Sequence, residues 1–261
     1  MKLTKIVPQL DRIPEEFHPL LLTQQVYDSS CSPNAQVLFI DQDEGYFLKR
    51  APKDTLHQES VMTRYFYGKH LAAEVLSYVS NDQDWMLTKR LPGEACLAHK
   101  YLDNPSLLCD TLAQLLRQLH DESIHGCPAA DLTVQRLGLA EKNYRTGQYD
   151  KSMFPDNWGF STPEEAWNTV LQNGKYLKTD TLVHGDYCLP NVLLDNWKFS
   201  GFIDLGGAGV SDRHFDLFWG IWSLSFNLKT NDYCDRFLDA YGRNCIETEA
   251  LHTIAAIEVF G

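Results

Sequence analysis

The apolar pattern changes period once along the chain, at Leu91-Pro92-Gly93, and that change limits the fold more than any other feature. Before it, Gln24–Tyr27, Gln36–Ile40, Gly45–Lys49, Val75–Val79 and Trp85–Lys89 are short β-leaning runs. Turn clusters part them, among them Asp41-Gln42-Asp43-Glu44-Gly45 and Asn81-Asp82-Gln83-Asp84. One stretch, Leu56–His70, is too long for a strand and predicts a helix. After the change, Leu108, Leu112, Leu115 and Leu119 recur at helical spacing between Pro105 and Glu122. Pro163–Leu171, Asp216–Asn227, Asp232–Tyr241 and Glu249–Phe260 also read as helices, with Thr181–His184, Asn191–Leu194 and Phe199–Ile203 as short strands. The chain therefore reads as an α+β protein of two lobes, strand-rich over 1–92 and mainly helical over 93–261.

Charge narrows the partners. Lys and Arg number 23 against 35 Asp and Glu, a net charge of −12 that argues against nucleic acid or an anionic membrane surface. Most of the excess lies late: 10 basic and 13 acidic residues precede Cys96, and 13 and 22 follow from it. A cationic or neutral small molecule suits such a surface. The seven cysteines form no C-x-x-C pair, and the first residues lack the apolar core of a signal peptide. The expectation is a cytoplasmic monomer whose reduced thiols are buried as small hydrophobes. Uncharged runs such as Leu217–Leu228 fall short of the roughly 20 residues that span a bilayer.

The chemistry concentrates in His184-Gly185-Asp186-Tyr187-Cys188-Leu189-Pro190-Asn191, followed by Phe202-Ile203-Asp204-Leu205-Gly206. Taken singly, Asp and Gly fill turns everywhere. Jointly, an Asp, an Asn five residues on and a second Asp flanked by apolar residues form the set that phosphoryl transfer from a nucleotide requires. One carboxylate, Asp186, orients the acceptor hydroxyl and takes its proton. The amide oxygen of Asn191 and the carboxylate of Asp204 are hard donors for Mg²⁺. His184 reads as a structural brace for the loop, and Gly185 and Gly206 as points of backbone freedom near the phosphates.

These segments resemble the aminoglycoside phosphotransferases, and most nearly their 3′-phosphotransferase subgroup, through Val183 to Val192, Phe199 to Asp204, and Gly209-Val210-Ser211-Asp212-Arg213 with Asp216. The resemblance implies a bilobal protein-kinase-like fold, ATP or GTP with Mg²⁺ as cofactors, Asp186 as catalytic base, and Asn191 and Asp204 as metal ligands. Gly45-Tyr46-Phe47-Leu48-Lys49 looks like the strand whose lysine meets the α- and β-phosphates, with Glu59 as its ion-pair partner and Glu74 as the competitor. The chain has no Gly-rich phosphate loop. Ser29-Ser30-Cys31-Ser32-Pro33-Asn34-Ala35 resembles the subgroup's Ser-Pro nucleotide loop instead, so Ser30 and Ser32 are expected at the phosphates. Thr88-Lys89-Arg90-Leu91 resembles the interlobe hinge, where the backbone of Lys89 and Leu91 would meet adenine.

Substrate residues are fewer. Asp156-Asn157-Trp158 resembles part of the family's acidic substrate loop, and Ile257-Glu258-Val259-Phe260 its acidic C-terminal end, which implies Asp156, Asn157 and Glu258 as substrate contacts. Gly159 and Ile257 stand where further acids are usual, Gly207 replaces an arginine, and Ser225-Phe226-Asn227 replaces charged residues. The implied activity is phosphorylation of a hydroxyl on an aminoglycoside or similar polycation. The alternatives are a kinase for choline or a sugar, and a nucleotide-binding pseudokinase serving as an interaction module. Choline would need an aromatic cage, which Trp219, Trp222 and Phe226 could supply, although that stripe reads equally as helix core.

Overall fold

The computed structural model describes residues 3–22, 24–31, 35–150, 152 and 158–261, and the chain divides into two units that interleave along the sequence. The first unit begins with β1 (Thr4–Ile6), a short helix α1 (His18–Leu22), β2 (Gln25–Asp28), β3 (Gln36–Asp41) and β4 (Tyr46–Pro52). Helix α2 (His57–Tyr67), β5 (Val75–Ser80), β6 (Gln83–Lys89) and the two-residue β7 (Glu94–Ala95) follow. Strands β1 to β6 form one antiparallel sheet in the order β1-β2-β3-β4-β6-β5.

The chain then builds most of the second unit: α3 (His99–Leu102), α4 (Pro105–His120), α5 (Leu132–Arg145), α6 (Pro163–Asn173) and β8 (Thr181–Val183). It returns to the first unit for β9 (Val192–Asp195) and β10 (Lys198–Phe202), and goes back to the second for β11 (Gly209–Ser211), α7 (His214–Leu228), α8 (Cys234–Tyr241) and α9 (Thr248–Glu258). The 1–92 and 93–261 division is thus a single cut through a chain whose units interleave. Packing explains the excursion. Phe202 is buried against Phe66 of α2, its N–H donates to the Leu71 carbonyl at 2.8 Å, and β7 pairs with β9 through Glu94 opposite Leu194.

Gly93 makes that pairing possible. Its φ is +84°, and a Cβ there would overlap the Leu194 carbonyl, so only glycine fits. Gly93→Ala should destabilise the protein by about 3 kcal/mol, read as a lowered denaturation midpoint with little change in m.

Alternation along the strands decides which side chains are available for function. Leu48, Trp85, Leu87, Leu38 and Ile40 point into a core that the N-terminal segment covers with Ile13, Phe17 and Leu21. Lys49, one residue on, faces the other side of the sheet, where Ala51, Leu56, Val75 and Met86 cluster. In the second unit Leu108, Leu112, Leu116 and Leu119 of α4 are fully buried, as their spacing requires.

The seven cysteines are free thiols. Cys96, Cys109 and Cys188 are buried, but Cys31 is exposed and Cys127, Cys234 and Cys245 are half-buried, which corrects the expectation that each is a core hydrophobe. Burial pushes the Cys96 and Cys109 thiols up to about 12. Among the described residues no helix is long and apolar enough to cross a membrane.

Candidate active site

In the first unit the polar centre is Lys49. Its Nζ donates to both oxygens of Glu59, at 2.8 and 2.7 Å, and to Oδ1 of Asp204 at 2.8 Å. Glu59 lies in the first turn of α2, and the start of that helix is tied down from β6: the buried Asp84 accepts from the Leu56 N–H at 2.8 Å and from the Ser80 hydroxyl at 2.7 Å. Hydrogen bonds from these donors outweigh burial and hold the Asp84 carboxyl below its usual range. Glu74, the competing partner, pairs instead with Lys89 at 2.6 Å.

One cation therefore faces two carboxylates. Burial alone would pull Lys49 down, but Glu59 and Asp204 outweigh it and hold the ammonium above its ordinary value. Burial pushes the Glu59 carboxyl up, Lys49 pulls it back, and Asp204 pushes again, so that it too stays above the usual range. The cluster carries one uncompensated negative charge. Glu59 is only 8 % exposed, whereas the Asp204 side chain is 53 % exposed, so the accessible part of that charge sits on Asp204.

Asp204 follows β10 in a left-handed conformation, φ +61°, which a side chain with a β-carbon adopts at a cost. The backbone freedom expected at Gly206 is thus found at Asp204, while Gly206 lies in an ordinary 3₁₀ turn beside the Glu59 β-carbon.

In the second unit β8 feeds the loop of residues 184–191. Gly185 turns it with φ +84°, and Asp216, fully buried on α7, holds it: Oδ2 accepts from the His184 N–H and Oδ1 from the Gly185 N–H, both at 2.7 Å. His120 supports Asp216 from α4. Burial keeps this imidazole neutral, Nε2 donating to Asp216 at 3.2 Å and Nδ1 accepting from the Tyr241 hydroxyl at 2.8 Å.

Burial works against the Asp216 charge, but these donors outweigh it and the carboxyl lies below its usual range. A depressed carboxyl stabilises the native chain above the unfolded value of 3.8 and loses that contribution only as pH falls through the lower native value. Further along the loop, the Tyr187 hydroxyl donates to the Leu112 carbonyl at 2.8 Å and the Leu189 N–H to Ser223 Oγ at 2.9 Å.

Asp186 and Asn191 meet directly. The Asn191 Nδ2 donates to the Asp186 backbone carbonyl at 3.0 Å and to its Oδ2 at 2.9 Å, so the atom this amide can offer a cation is Oδ1. His184 Nδ1 accepts from the Asp186 N–H at 3.3 Å. Asn191 Oδ1 in the second unit and the Asp204 carboxylate in the first are each hard oxygens of the donor type that Mg²⁺ takes.

Glu258, at the end of α9, is nearly buried rather than on a solvated face. Its Oε1 accepts from Arg136 Nη1 at 3.1 Å. Burial pushes Glu258 up, Arg136 lowers it, and the charge of Asp186 raises it again, so the carboxyl lies above its ordinary range. Arg136 also donates from Nη2 to the Gly185 carbonyl at 3.0 Å and lies 4.2 Å over the Phe215 ring. It thereby ties Glu258 to the loop that carries Asp186. Sequence reasoning missed Arg136 altogether, because α5 shows no apolar stripe: Val134 and Leu139 face solvent and Leu132, Thr133 and Ala140 are its buried residues.

Ser30 is engaged in closing its hairpin. Its N–H donates to Asp28 Oδ1 at 2.8 Å, and its Oγ accepts from the Val37 N–H at 2.9 Å. The Lys89 N–H goes to the Glu74 carbonyl at 3.0 Å, which leaves the Lys89 carbonyl as the group it can present to a base, and Leu91 follows on the same segment. Ser32, Asp156 and Asn157 lie outside the described residues.

A family model described as the phosphotransferase enzyme family matches residues 29–254. A probable aminoglycoside 3′-phosphotransferase of Lactococcus lactis subsp. lactis (strain IL1403) is 48 % identical over 253 residues, covering 97 % of this chain and 96 % of that protein. Among solved structures, an aminoglycoside-3′-phosphotransferase of type VIII has a TM-score of 0.68 at 22 % identity, covering 86 % of this chain and 88 % of its own. An aminoglycoside phosphotransferase from Streptomyces rimosus, solved with ADP and streptomycin, has a TM-score of 0.67 at 20 % identity, covering 85 % and 90 %. These two likenesses carry the fold, which is kinase-like and α+β.

Proposed function

Because the chain belongs to the phosphotransferase enzyme family, matched over residues 29–254 and along nearly its whole length by a relative 48 % identical, we propose that it transfers a phosphoryl group from ATP to a hydroxyl of an aminoglycoside or similar polycation. The reaction forms a bond from the acceptor oxygen to the γ-phosphorus and breaks the bond to the departing ADP oxygen. Asp186 orients the hydroxyl and takes its proton.

Lys49, fixed by Glu59, meets the α- and β-phosphates, and Ser30 and Ser32 are the further phosphate contacts. The Lys89 carbonyl and the Leu91 backbone meet adenine. Asn191 Oδ1 and the Asp204 carboxylate are the ligands for Mg²⁺, which when bound neutralises phosphate charge. A metal held by Asp204 would take up one of the two anions beside Lys49 and leave its ammonium available to phosphate. Glu258, Asp156 and Asn157 receive substrate ammonium groups.

The observation that carries this reading is the Lys49 ammonium held between Glu59 and Asp204 with one negative charge in excess, an arrangement suited to a cation and a polyphosphate arriving together. The test is release of ADP from ATP by the purified protein with Mg²⁺ across aminoglycosides, choline and sugars, with GTP in parallel. Stimulation by kanamycin-type polycations, abolished by a chelator, is expected. Stimulation by choline alone would replace the acceptor, and nucleotide binding without turnover on any acceptor would overturn the enzymatic reading.

A further inference from the structure

The carboxylate proposed to receive ammonium groups already has a cation beside it. Arg136 of α5 donates from Nη1 to Glu258 Oε1 at 3.1 Å. The other nitrogen of the fork goes to an uncharged group: Nη2 donates to the Gly185 carbonyl at 3.0 Å. The guanidinium also lies 4.2 Å from the centre of the Phe215 ring, which is fully buried on α7. A cation present only to keep Glu258 ionised would need neither of these contacts. All of these residues belong to the second unit.

The Gly185 carbonyl is part of the peptide that joins Gly185 to Asp186. The peptides on either side have other holders. Asp216 takes the His184 and Gly185 N–H groups at 2.7 Å, and the Asp186 carbonyl accepts from the Cys188 N–H at 2.8 Å and from Asn191 Nδ2 at 3.0 Å. The peptide between them is held at its nitrogen by a long bond, Asp186 N–H to His184 Nδ1 at 3.3 Å, and at its oxygen by Arg136. A charged donor makes the stronger bond of the two. Gly185, at φ +84° and without a β-carbon, offers little resistance to rotation of that peptide, and rotation there re-aims the Asp186 side chain. Arg136 in turn stands on an anchored helix. One turn earlier Thr133 is buried, its hydroxyl donating to the Lys178 carbonyl at 2.8 Å and accepting from the Asp212 N–H at 3.1 Å.

We propose that Arg136 is a positioning residue for phosphoryl transfer: one planar guanidinium holds Glu258 and the Gly185–Asp186 peptide in a fixed relation, so that an acceptor bound at Glu258 presents its hydroxyl to Asp186. The inference rests on the acceptor and base roles proposed above. Lysine cannot replace it, because a single ammonium on a flexible stem does not hold two acceptors in the set geometry of a planar fork. Lys49, Lys89 and Leu91 belong to the first unit, so nucleotide binding is expected to be indifferent to Arg136.

The test is single-turnover phosphoryl transfer from ATP with Mg²⁺ to saturating kanamycin, using the unaltered full chain, Arg136→Gln and Arg136→Lys. Calorimetric binding of kanamycin and KM for ATP are measured alongside. A single turnover reads the chemical step even where product release limits kcat. Loss of positioning is expected to slow transfer about 10²-fold in Arg136→Gln, with KM for ATP within about twofold and kanamycin bound no more than about threefold more weakly. Arg136→Lys keeps a cation beside Glu258 and should melt close to the unaltered protein, yet transfer is expected to be slowed more than about tenfold. Should Arg136→Gln not fold, the lysine variant alone decides. Transfer by Arg136→Lys within about tenfold of the unaltered rate overturns the positioning role, since charge then suffices. A glutamine variant that loses only kanamycin affinity, with transfer at saturation unchanged, also overturns it. In both cases the proposed function stands. An unaltered protein that transfers nothing to kanamycin overturns the positioning role together with the acceptor on which it rests.

Discussion

Asp186→Ala is expected to lower kcat about 10³-fold while KM for ATP moves less than about twofold, because a positioned proton acceptor contributes to the transition state and not to nucleotide binding. The loop should survive the change. Asp216 holds its first residues through two backbone N–H groups, and the Asp186 carbonyl still accepts from Asn191 and from the Cys188 N–H at 2.8 Å. A melting curve close to that of the unaltered protein would separate lost chemistry from lost structure. Asp186→Asn is the sharper variant, since it keeps an acceptor for Asn191 and the volume of the side chain but cannot take a proton. Equal losses in the two variants are expected from steady-state ADP release. An Asn variant within about tenfold of the unaltered rate would show that orientation, not proton acceptance, is the contribution of Asp186.

Lys49→Met should have the largest effect on the first unit. It leaves Glu59, only 8 % exposed, beside Asp204 with no cation between them, and removing one partner of a buried pair typically costs about 3 kcal/mol or more. The loss should depend on pH with a definite sign. Burial already raises the Glu59 carboxyl, and without Lys49 it rises further. The ionised native carboxylate is then penalised above that raised value and relieved as pH falls through it and Glu59 takes a proton. Denaturant unfolding of the variant and the unaltered protein at pH 8 and at pH 5 measures this directly, with the larger difference expected at the higher pH. Lys49→Met with Glu59→Gln should recover part of the stability but none of the nucleotide affinity. A stability difference that is the same at both pH values would mean that Glu59 is not the group left unpaired.

Much of this site is legible from the amino-acid sequence because its spacings are local. Asp186 and Asn191 lie five residues apart on one turn, and a side chain can cross that distance in few ways. Lys49 and Glu59 are ten apart, with a strand end and a helix start between them. The strands and helices that were read correctly share the same property. Their apolar residues recur at a fixed period, as in α4 and β3, since a single buried face requires it. The elements that escaped, β1, α1, β7, α3, α5 and β11, are two to five residues long or present their apolar residues to solvent, so no period develops.

The groups that hold the site together are of another kind. Asp84 caps α2 from 28 residues away, Asp216 grips the 184–191 loop from 32, and Arg136 reaches Glu258 across 122. Each is a polar residue whose neighbours in sequence say nothing of its partner. Asp84 reads as part of a turn, Asp216 as a helix start and a motif residue with no partner assigned, and Arg136 as nothing in particular.

The sequence alone thus determined the local pairings, Lys49 with Glu59 and Asp186 with Asn191, on which the proposed phosphoryl-transfer chemistry rests, because residues this close along the chain can meet in few ways. Only the tertiary structure decided which buried charges steady them and that Glu258 is shared with Arg136. Those pairings depend on desolvated groups finding partners from distant segments, and burial, unlike spacing, does not exist until the chain has folded.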